Sequence, residues 1–202
     1  LEIEKKDMVD LTHKGEFDYV ISTGVIHHTK DPQESLSRLV ETTKDDGALY
    51  IMVYAIYLRV GIYYFQDAFR YLGLKPTKEG IGTAKTLIEL SPKNHYAHNY
   101  IEQITKSSGT RDLTFDAGFV DTFFNARDVA FDIFELKELI SNAGAYFQCW
   151  LDNSHYYRYL FDFSKAESLN QTYNNLDPWE LADFMQKMSP TSGKFDFVLR
   201  KE

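Results

Sequence analysis

The sequence has almost no cysteine and no apolar stretch long enough for a membrane-spanning helix. Cys149 is the single cysteine among 202 residues, which excludes an intrachain disulfide and a zinc site built from several cysteines. The longest apolar run, 48–58, has 11 residues including three tyrosines, whereas a spanning helix needs about 20. No secretory signal pattern is present either. These features predict a cytoplasmic protein with no membrane partner.

Positive charge is also scarce. The chain has 22 lysine and arginine residues against 30 aspartate and glutamate residues, and its net charge is −8. Proteins that bind nucleic acid through the phosphate backbone take their affinity from clustered basic side chains. We therefore expect no nucleic-acid partner. The length suits one compact unit with insertions and a sizeable core.

The first 55 residues alternate strand signals with a helix signal. Residues 1–4 alternate apolar and acidic side chains, which predicts a short, half-exposed strand. The apolar run 17–22 predicts a strand buried on both faces, and 48–55 predicts another. Between them, Asp31 and Pro32 have the pattern of an N-cap and a first helical turn. Strand, helix and strand at this spacing predict a parallel βαβ unit.

The rest of the chain predicts a helical insert followed by further elements of the sheet. Pro76 and Pro92 divide the first part of the insert into three helices, and the aperiodic stretch 107–127 predicts a long loop. The predicted domains are a core of residues 1–55 and 131–202 and a cap of residues 56–130. Beyond the cap we expect a capped helix from Asp132 to Gly144, a strand at 146–151, helices near 156–163 and 178–188, and a strand at 194–199.

A family resemblance lies in the first of these regions. Residues 17–32 read FDYVISTGVIHHTKDP, and after a helix residues 46–51 read DGALYI. This pattern resembles the second half of class I S-adenosylmethionine-dependent methyltransferases, and residues 119–131 also resemble a loop of one bacterial subgroup. The resemblance implies an α/β fold in which part of a Rossmann-like methyltransferase sheet, strands three to seven, carries an inserted α-helical cap. That family orders its strands 3-2-1-4-5-7-6.

The resemblance also implies S-adenosyl-L-methionine as the cofactor. Residues 6–11 are similar to the end of strand three, where an acidic side chain takes the adenine amino group; this assigns Asp7 and Met8 to the adenine. Ligands of open α/β sheets bind beyond the carboxyl ends of the strands. The residues expected beneath the methionine moiety, at such an end, are Ser22, Thr23, Gly24 and Val25.

His28 and Tyr57 are the candidate catalytic residues. Methyl transfer from a sulfonium is an in-line displacement, and its acceleration comes mainly from holding acceptor and methyl group in a near-attack geometry. A histidine can take the proton of a hydroxyl or amine acceptor. His27 is the adjacent histidine, and one of the two is expected to be a structural turn residue. A metal site from these histidines and Asp31 is not expected, because the other ligands would have to come from unidentified loops.

Other conspicuous side chains are expected to pack rather than react. Tyr54 and Tyr63 are interpreted as core and cap packing. Arg127 and Asp128 are expected to pair with each other or with loop backbone. Cys149, in an apolar strand, is expected to be an inert core thiol.

Two parts of the family pattern have no counterpart: the glycine-rich loop after strand one and the acidic residue after strand two. Gly80 and Gly82 form a G-x-G, but it does not follow a strand. We therefore expect a chain truncated at its N-terminus. The alternative function is a non-catalytic domain acting in protein interaction or self-association, because an exposed strand edge recruits another chain and predicts a homodimer.

The methyl acceptor is expected to be a small molecule or a protein. A remote alternative is a short-chain dehydrogenase, since Tyr71 and Lys75 have the required spacing. Gly73 interrupts that motif and Pro76 follows it, so it ends a helix where the dehydrogenase pattern begins one. A serine hydrolase is excluded because the Gly-x-Ser-x-Gly elbow is missing.

Overall fold

The computed structural model describes residues 2–106, 112–151, 156, 166–190 and 192–201. It divides into two compact units, Leu1–Ala55 with Val129–Glu202 and Ile56–Asp128. The second unit thus ends at Asp128, whereas the sequence prediction ended the cap at residue 130.

Regular elements in the described residues follow one another in the order strand, helix, strand, five helices, strand, two helices, strand. The strands are β1 (Phe17–Thr23), β2 (Thr43–Tyr54), β3 (Ala145–Trp150) and β4 (Lys194–Lys201). The helices are α1 (Pro32–Thr42), α2 (Ile56–Tyr71), α3 (Lys78–Leu90), α4 (Tyr96–Lys106), α5 (Asp116–Phe124), α6 (Ile133–Asn142), α7 (Glu167–Asn174) and α8 (Pro178–Met188). Short 3-10 turns lie at Met8–Asp10, Ile26–His28 and Asp112–Thr114.

The first unit is built on a four-stranded sheet in the order β1-β2-β4-β3. Strand β1 runs parallel to β2, and β4 is antiparallel to both of its neighbours. This confirms the α/β class, and the order is that of the last four strands, 4-5-7-6, of the implied fold. The buried side chains of β2 and β4 form the centre of this unit, among them Leu49, Ile51, Val53, Phe195, Phe197 and Leu199.

Two predictions for the amino-terminal region are wrong. Residues 2–7 have no regular structure and lead into the Met8–Asp10 turn, so the strand predicted at 1–4 does not form. Strand β1 forms, but it is not buried on both faces: Tyr19 is 80% exposed and Ile21 is 70% exposed. Tyr19 and Ile21 lie on one face of β1, and their exposure shows that the described residues leave this face uncovered; β1 also lies at the edge of the sheet, where it pairs only with β2 among the described strands.

The predicted N-caps of α1 and α6 and the predicted end of α6 are confirmed, whereas β2 begins at Thr43, earlier than the predicted residue 48. Asp31 Oδ1 accepts the backbone N–H of Glu34 at 2.9 Å and caps α1. Asp132 and Glu135 form a complete capping box at the start of α6. After α6, Gly144 adopts a φ of +70°, a left-handed conformation that favours glycine.

The second unit is all helical around one aromatic core. The three predicted helices are confirmed as α2, α3 and α4. The long loop predicted at 107–127 is wrong over its second half, which contains α5 with Phe119 and Phe123 buried one turn apart. Residues 107–111 lie outside the described residues, as does the helix predicted near 156–163 apart from Tyr156.

Candidate functional site

The carboxyl end of β1 turns sharply at Gly24. This residue has a φ of +71°, which an L side chain adopts only with strain, and its N–H donates to the Met52 carbonyl on β2 at 3.2 Å. The chain then enters the 3-10 turn Ile26–His28. A strand end followed by a glycine turn beside a parallel neighbour is the position at which open α/β sheets bind ligands.

Ser22 gives this turn an unsatisfied polar atom. Its side chain is 5% exposed, and its Oγ has no hydrogen-bond partner among the described residues. Buried hydroxyls normally have a partner, so this atom fits a site completed by a bound ligand. Thr23 and Val25 are exposed beside it. The assignment of these residues and of Gly24 to the cofactor stays a prediction.

The residues predicted at the adenine lie in the amino-terminal segment. Asp7 Oδ1 accepts the Val9 N–H at 3.3 Å and caps the Met8–Asp10 turn. The Asp7 side chain is exposed, so its second carboxylate oxygen remains accessible to a donor. Met8 is half-buried, and the turn that contains it contacts α1.

The two histidines occupy different environments against one tyrosine. The His27 ring is fully buried, and its centroid lies 3.7 Å from that of Tyr54. The half-buried His28 ring lies edge-on to Tyr54, with a centroid distance of 5.4 Å. His28 is therefore the more accessible of the two. The sequence analysis favoured packing for Tyr54; its position as the last residue of β2 is the signal that places it at the edge where open α/β sheets bind ligands.

The segment 129–131, which the sequence analysis did not assign to the site, also lies at this edge of the sheet. The N–H of Val129 donates to the His27 carbonyl at 3.1 Å, and the N–H of Phe131 donates to the Tyr54 carbonyl at 2.9 Å. Phe131 also forms an isolated parallel bridge with Ala55. The segment 129–131 therefore extends the strand ends with a short piece of parallel pairing, which only the tertiary structure shows.

Tyr57 lies half-buried on the first turn of α2, in the second unit. Its part in handling the acceptor stays a prediction.

The second unit contains a buried polar cluster of Arg59, Tyr63, Gln66, Tyr100 and Asp128. The Arg59 guanidinium donates to Asp128 Oδ2 at 2.6 Å and to the Tyr100 hydroxyl at 2.7 Å. The expected pairing of Asp128 with Arg127 or with loop backbone is therefore wrong. Asp128 pairs instead with Arg59, a residue that the sequence analysis did not identify. Burial, reinforced by the Asp128 charge, raises the pKa of Tyr63 well above its usual range, although Arg59 opposes that shift.

One cavity of the first unit, of about 260 Å³, borders the segment 129–131, and two others lie away from the carboxyl end of β1. A cavity of about 380 Å³ lies at the amino end of β1 and is lined by Glu4, His13, Phe17 and Tyr19 among others. Across the described ranges, no group of three histidine, cysteine or acidic side chains is arranged to hold a metal ion. Within those same ranges, no helix has the length and apolar character needed to cross a membrane.

Comparisons with known proteins match part of this chain to a methyltransferase family. Residues 1–51 match the methyltransferase domain family. An uncharacterized protein of Synechococcus sp. is 24% identical over 190 residues, which are 92% of this chain and 44% of that protein. The chain therefore spans less than half the length of this curated relative.

Solved structures show the same fold. PKMT2 from Rickettsia typhi matches over 98% of this chain and 38% of its own, with a TM-score of 0.71 and 13% identity. The structure of PKMT2 in complex with AdoHcy matches over 96% of this chain, with a TM-score of 0.73 and 12% identity. At this level of identity the likeness is one of fold.

Proposed function

We propose that the protein is a class I S-adenosylmethionine-dependent methyltransferase, which transfers a methyl group from S-adenosyl-L-methionine to a small-molecule or protein acceptor. The observation that carries this proposal is the buried, unpartnered Oγ of Ser22 at the carboxyl end of β1. It supports a ligand at the strand end where the family resemblance expects the methionine moiety.

The chain's own residues have separate parts in this proposal. S-Adenosyl-L-methionine, when bound, supplies an electrophilic methyl group on a sulfonium. Ser22 and the turn at Gly24 bind its methionine moiety, and Asp7 accepts a hydrogen bond from the adenine amino group. His28 accepts the acceptor's proton at a ring nitrogen. Fixing these groups matters more than covalent chemistry, because the rate of an in-line displacement depends on alignment.

Calorimetric titration with S-adenosylhomocysteine tests the cofactor site. The whole protein is expected to bind it, and residues 1–202 alone are expected to bind it more weakly, because two parts of the family's cofactor pattern have no counterpart here. Ser22→Ala removes one hydrogen bond of about 1 kcal/mol, which raises Kd roughly fivefold. No binding by the whole protein would overturn the proposal.

Ser35 provides the matched control for that variant. Its side chain is fully buried and its Oγ also lacks a partner in the described structure, but it lies on α1. Ser35→Ala is expected to leave Kd unchanged. If the two substitutions raised Kd equally, the loss of affinity in Ser22→Ala would be due to general destabilisation.

A second candidate function, protein interaction or self-association, is favoured by the exposed edge of β1. Tyr19 and Ile21 project from this strand into solvent, and unpaired strand edges attract other strands. A homodimer formed through β1 is the form this function takes. Sedimentation velocity of residues 1–202 over a range of concentrations decides between a dimer and a monomer.

A further inference from the structure

We propose that Arg59 and Asp128 are a positioning pair for the candidate site, holding the segment 129–131 in the register that fixes the His27–His28 turn. This inference rests on the proposed function, because the turn matters for methyl transfer only if His28 handles the acceptor. Neither residue touches a reacting atom in this proposal; both act through the backbone.

The pair is buried and fully bonded. The side chains of Arg59 and Asp128 are each 1% exposed, and the closest nitrogen and oxygen atoms are 2.6 Å apart. The other Asp128 oxygen accepts the Tyr63 hydroxyl at 3.1 Å. The Tyr100 hydroxyl accepts a second guanidinium N–H. The Arg59 Cζ atom also lies over the Tyr100 ring, 5.4 Å from the ring centroid. Each charged group therefore has a second hydrogen-bond partner, Tyr100 for Arg59 and Tyr63 for Asp128, which fixes its orientation.

A gain in folding stability does not by itself explain why this ion pair is buried. Burying two charges costs solvation energy that their attraction repays only in good geometry, and apolar side chains of similar volume often serve equally well. A buried ion pair does, however, select one arrangement, because a shifted partner leaves an uncompensated charge in the interior. The geometry therefore suits a device that fixes position.

The sequence neighbours of Arg59 and Asp128 indicate which segment the ion pair holds in place. Asp128 directly precedes Val129, whose N–H is bonded to the His27 carbonyl. Arg59 lies four residues after Ala55, which is bridged to Phe131. The two charged residues are 69 positions apart in sequence, so their contact ties together the beginning and the end of the second unit.

Holding the segment 129–131 in place would also fix the position of the proposed proton acceptor, His28. The Val129 hydrogen bond holds the backbone of His27, and the next residue is His28. A general base must lie within hydrogen-bond reach of the proton that it removes, and small displacements lower the rate strongly. Loss of the pair is expected to loosen the segment 129–131 before it affects the centre of the sheet.

Hydrogen exchange of the whole protein tests this directly. In Asp128→Asn, amides of 129–131 are expected to exchange about tenfold faster or more, whereas those of 49–53 in the centre of the sheet stay unchanged. Titration with S-adenosylhomocysteine is measured on the same samples. The matched control is Asp116→Asn, which breaks an exposed ion pair with Lys85 in the same unit and is expected to alter neither result.

A double variant keeps the test decisive if Asp128→Asn does not fold. Arg59→Met with Asp128→Leu removes both charges together and leaves neither unpaired. This protein is expected to fold with a Tm near that of the parent and still to exchange rapidly at 129–131. Parent-like protection of that segment in either folded variant would overturn the proposal.

The two proposals fail in distinguishable ways. If the parent protein does not bind S-adenosylhomocysteine, the proposed function fails, but the exchange at 129–131 still decides whether the pair holds the segment. If the parent binds and exchange at 129–131 does not change in the variants, only the positioning role is lost.

Discussion

A Cβ atom built on Gly61 would lie 2.1 Å from the backbone nitrogen of Ala97, where α2 and α4 contact each other. The two helix backbones therefore meet at a position that only glycine fills. Because the obstacle is backbone rather than a flexible side chain, it cannot move aside without separating the helices.

Gly61→Ala is expected to destabilise the protein by about 3 kcal/mol, the upper end for an overpacked core. Urea unfolding followed by circular dichroism measures this change. The control is Gly82→Ala in α3, where a Cβ meets nothing within 4 Å. That substitution is expected to stabilise by about 0.5–1 kcal/mol, since alanine is the better helix former. Equal stability of the two variants would contradict the close approach.

Gly24→Ala is expected to weaken binding of S-adenosylhomocysteine by the whole protein. The φ of +71° at Gly24 is strained for alanine by about 1–2 kcal/mol, and relief of the strain would move the turn after β1. Gly73, with a φ of +65° and open space at its Cβ, is the control in the second unit. Gly73→Ala should lower Tm similarly and leave Kd unchanged; a similar loss of affinity in both variants would refute the local role of Gly24.

Acid is expected to loosen the start of α4 through His95. Its Nδ1 accepts the Ala97 N–H at 3.2 Å, and burial, assisted by the charge of His98, lowers the pKa of His95. Since the folded pKa lies below the unfolded value of about 6.5, this stabilisation is present above pH 6.5 and is lost as the pH falls through the folded pKa.

Amide exchange of α4 between pH 7.5 and 5, corrected for the intrinsic pH dependence of exchange, measures this loss. His95→Asn supplies an acceptor that does not titrate, so the acid-dependent loosening should become smaller. His13→Gln, in the first unit, is the control and should retain the parent's profile. An unchanged profile in His95→Asn would count against the cap as the cause.

Lysine at Tyr19 and Ile21 is expected to abolish any self-association through β1. Charged side chains, lysine above all, protect strand edges from pairing with other chains. Sedimentation velocity of the double variant and the parent provides the measurement. Tyr71→Lys is the control, because Tyr71 is also exposed but ends a helix. A dimer that persists in the strand variant would place the interface elsewhere.

Local signals in the sequence predicted much of the fold. Asp31 and Asp132 cap their helices as expected, because a capping side chain bonds backbone groups only two or three residues away. The α/β class followed equally well, since the period of apolar residues reports which faces are buried. The helix α5 was missed because its nine residues give too short a window for a helical period to be recognised.

The sequence by itself determined the strand-helix-strand order and the helix caps. Only the tertiary structure decided that β1 lies exposed at an edge, that Val129 bonds His27, and that Asp128 pairs with Arg59. The reason is physical. Caps and periodicity depend on neighbours within a turn or two, whereas strand exposure and long-range pairing depend on which distant segments are packed together, and no local preference encodes that choice.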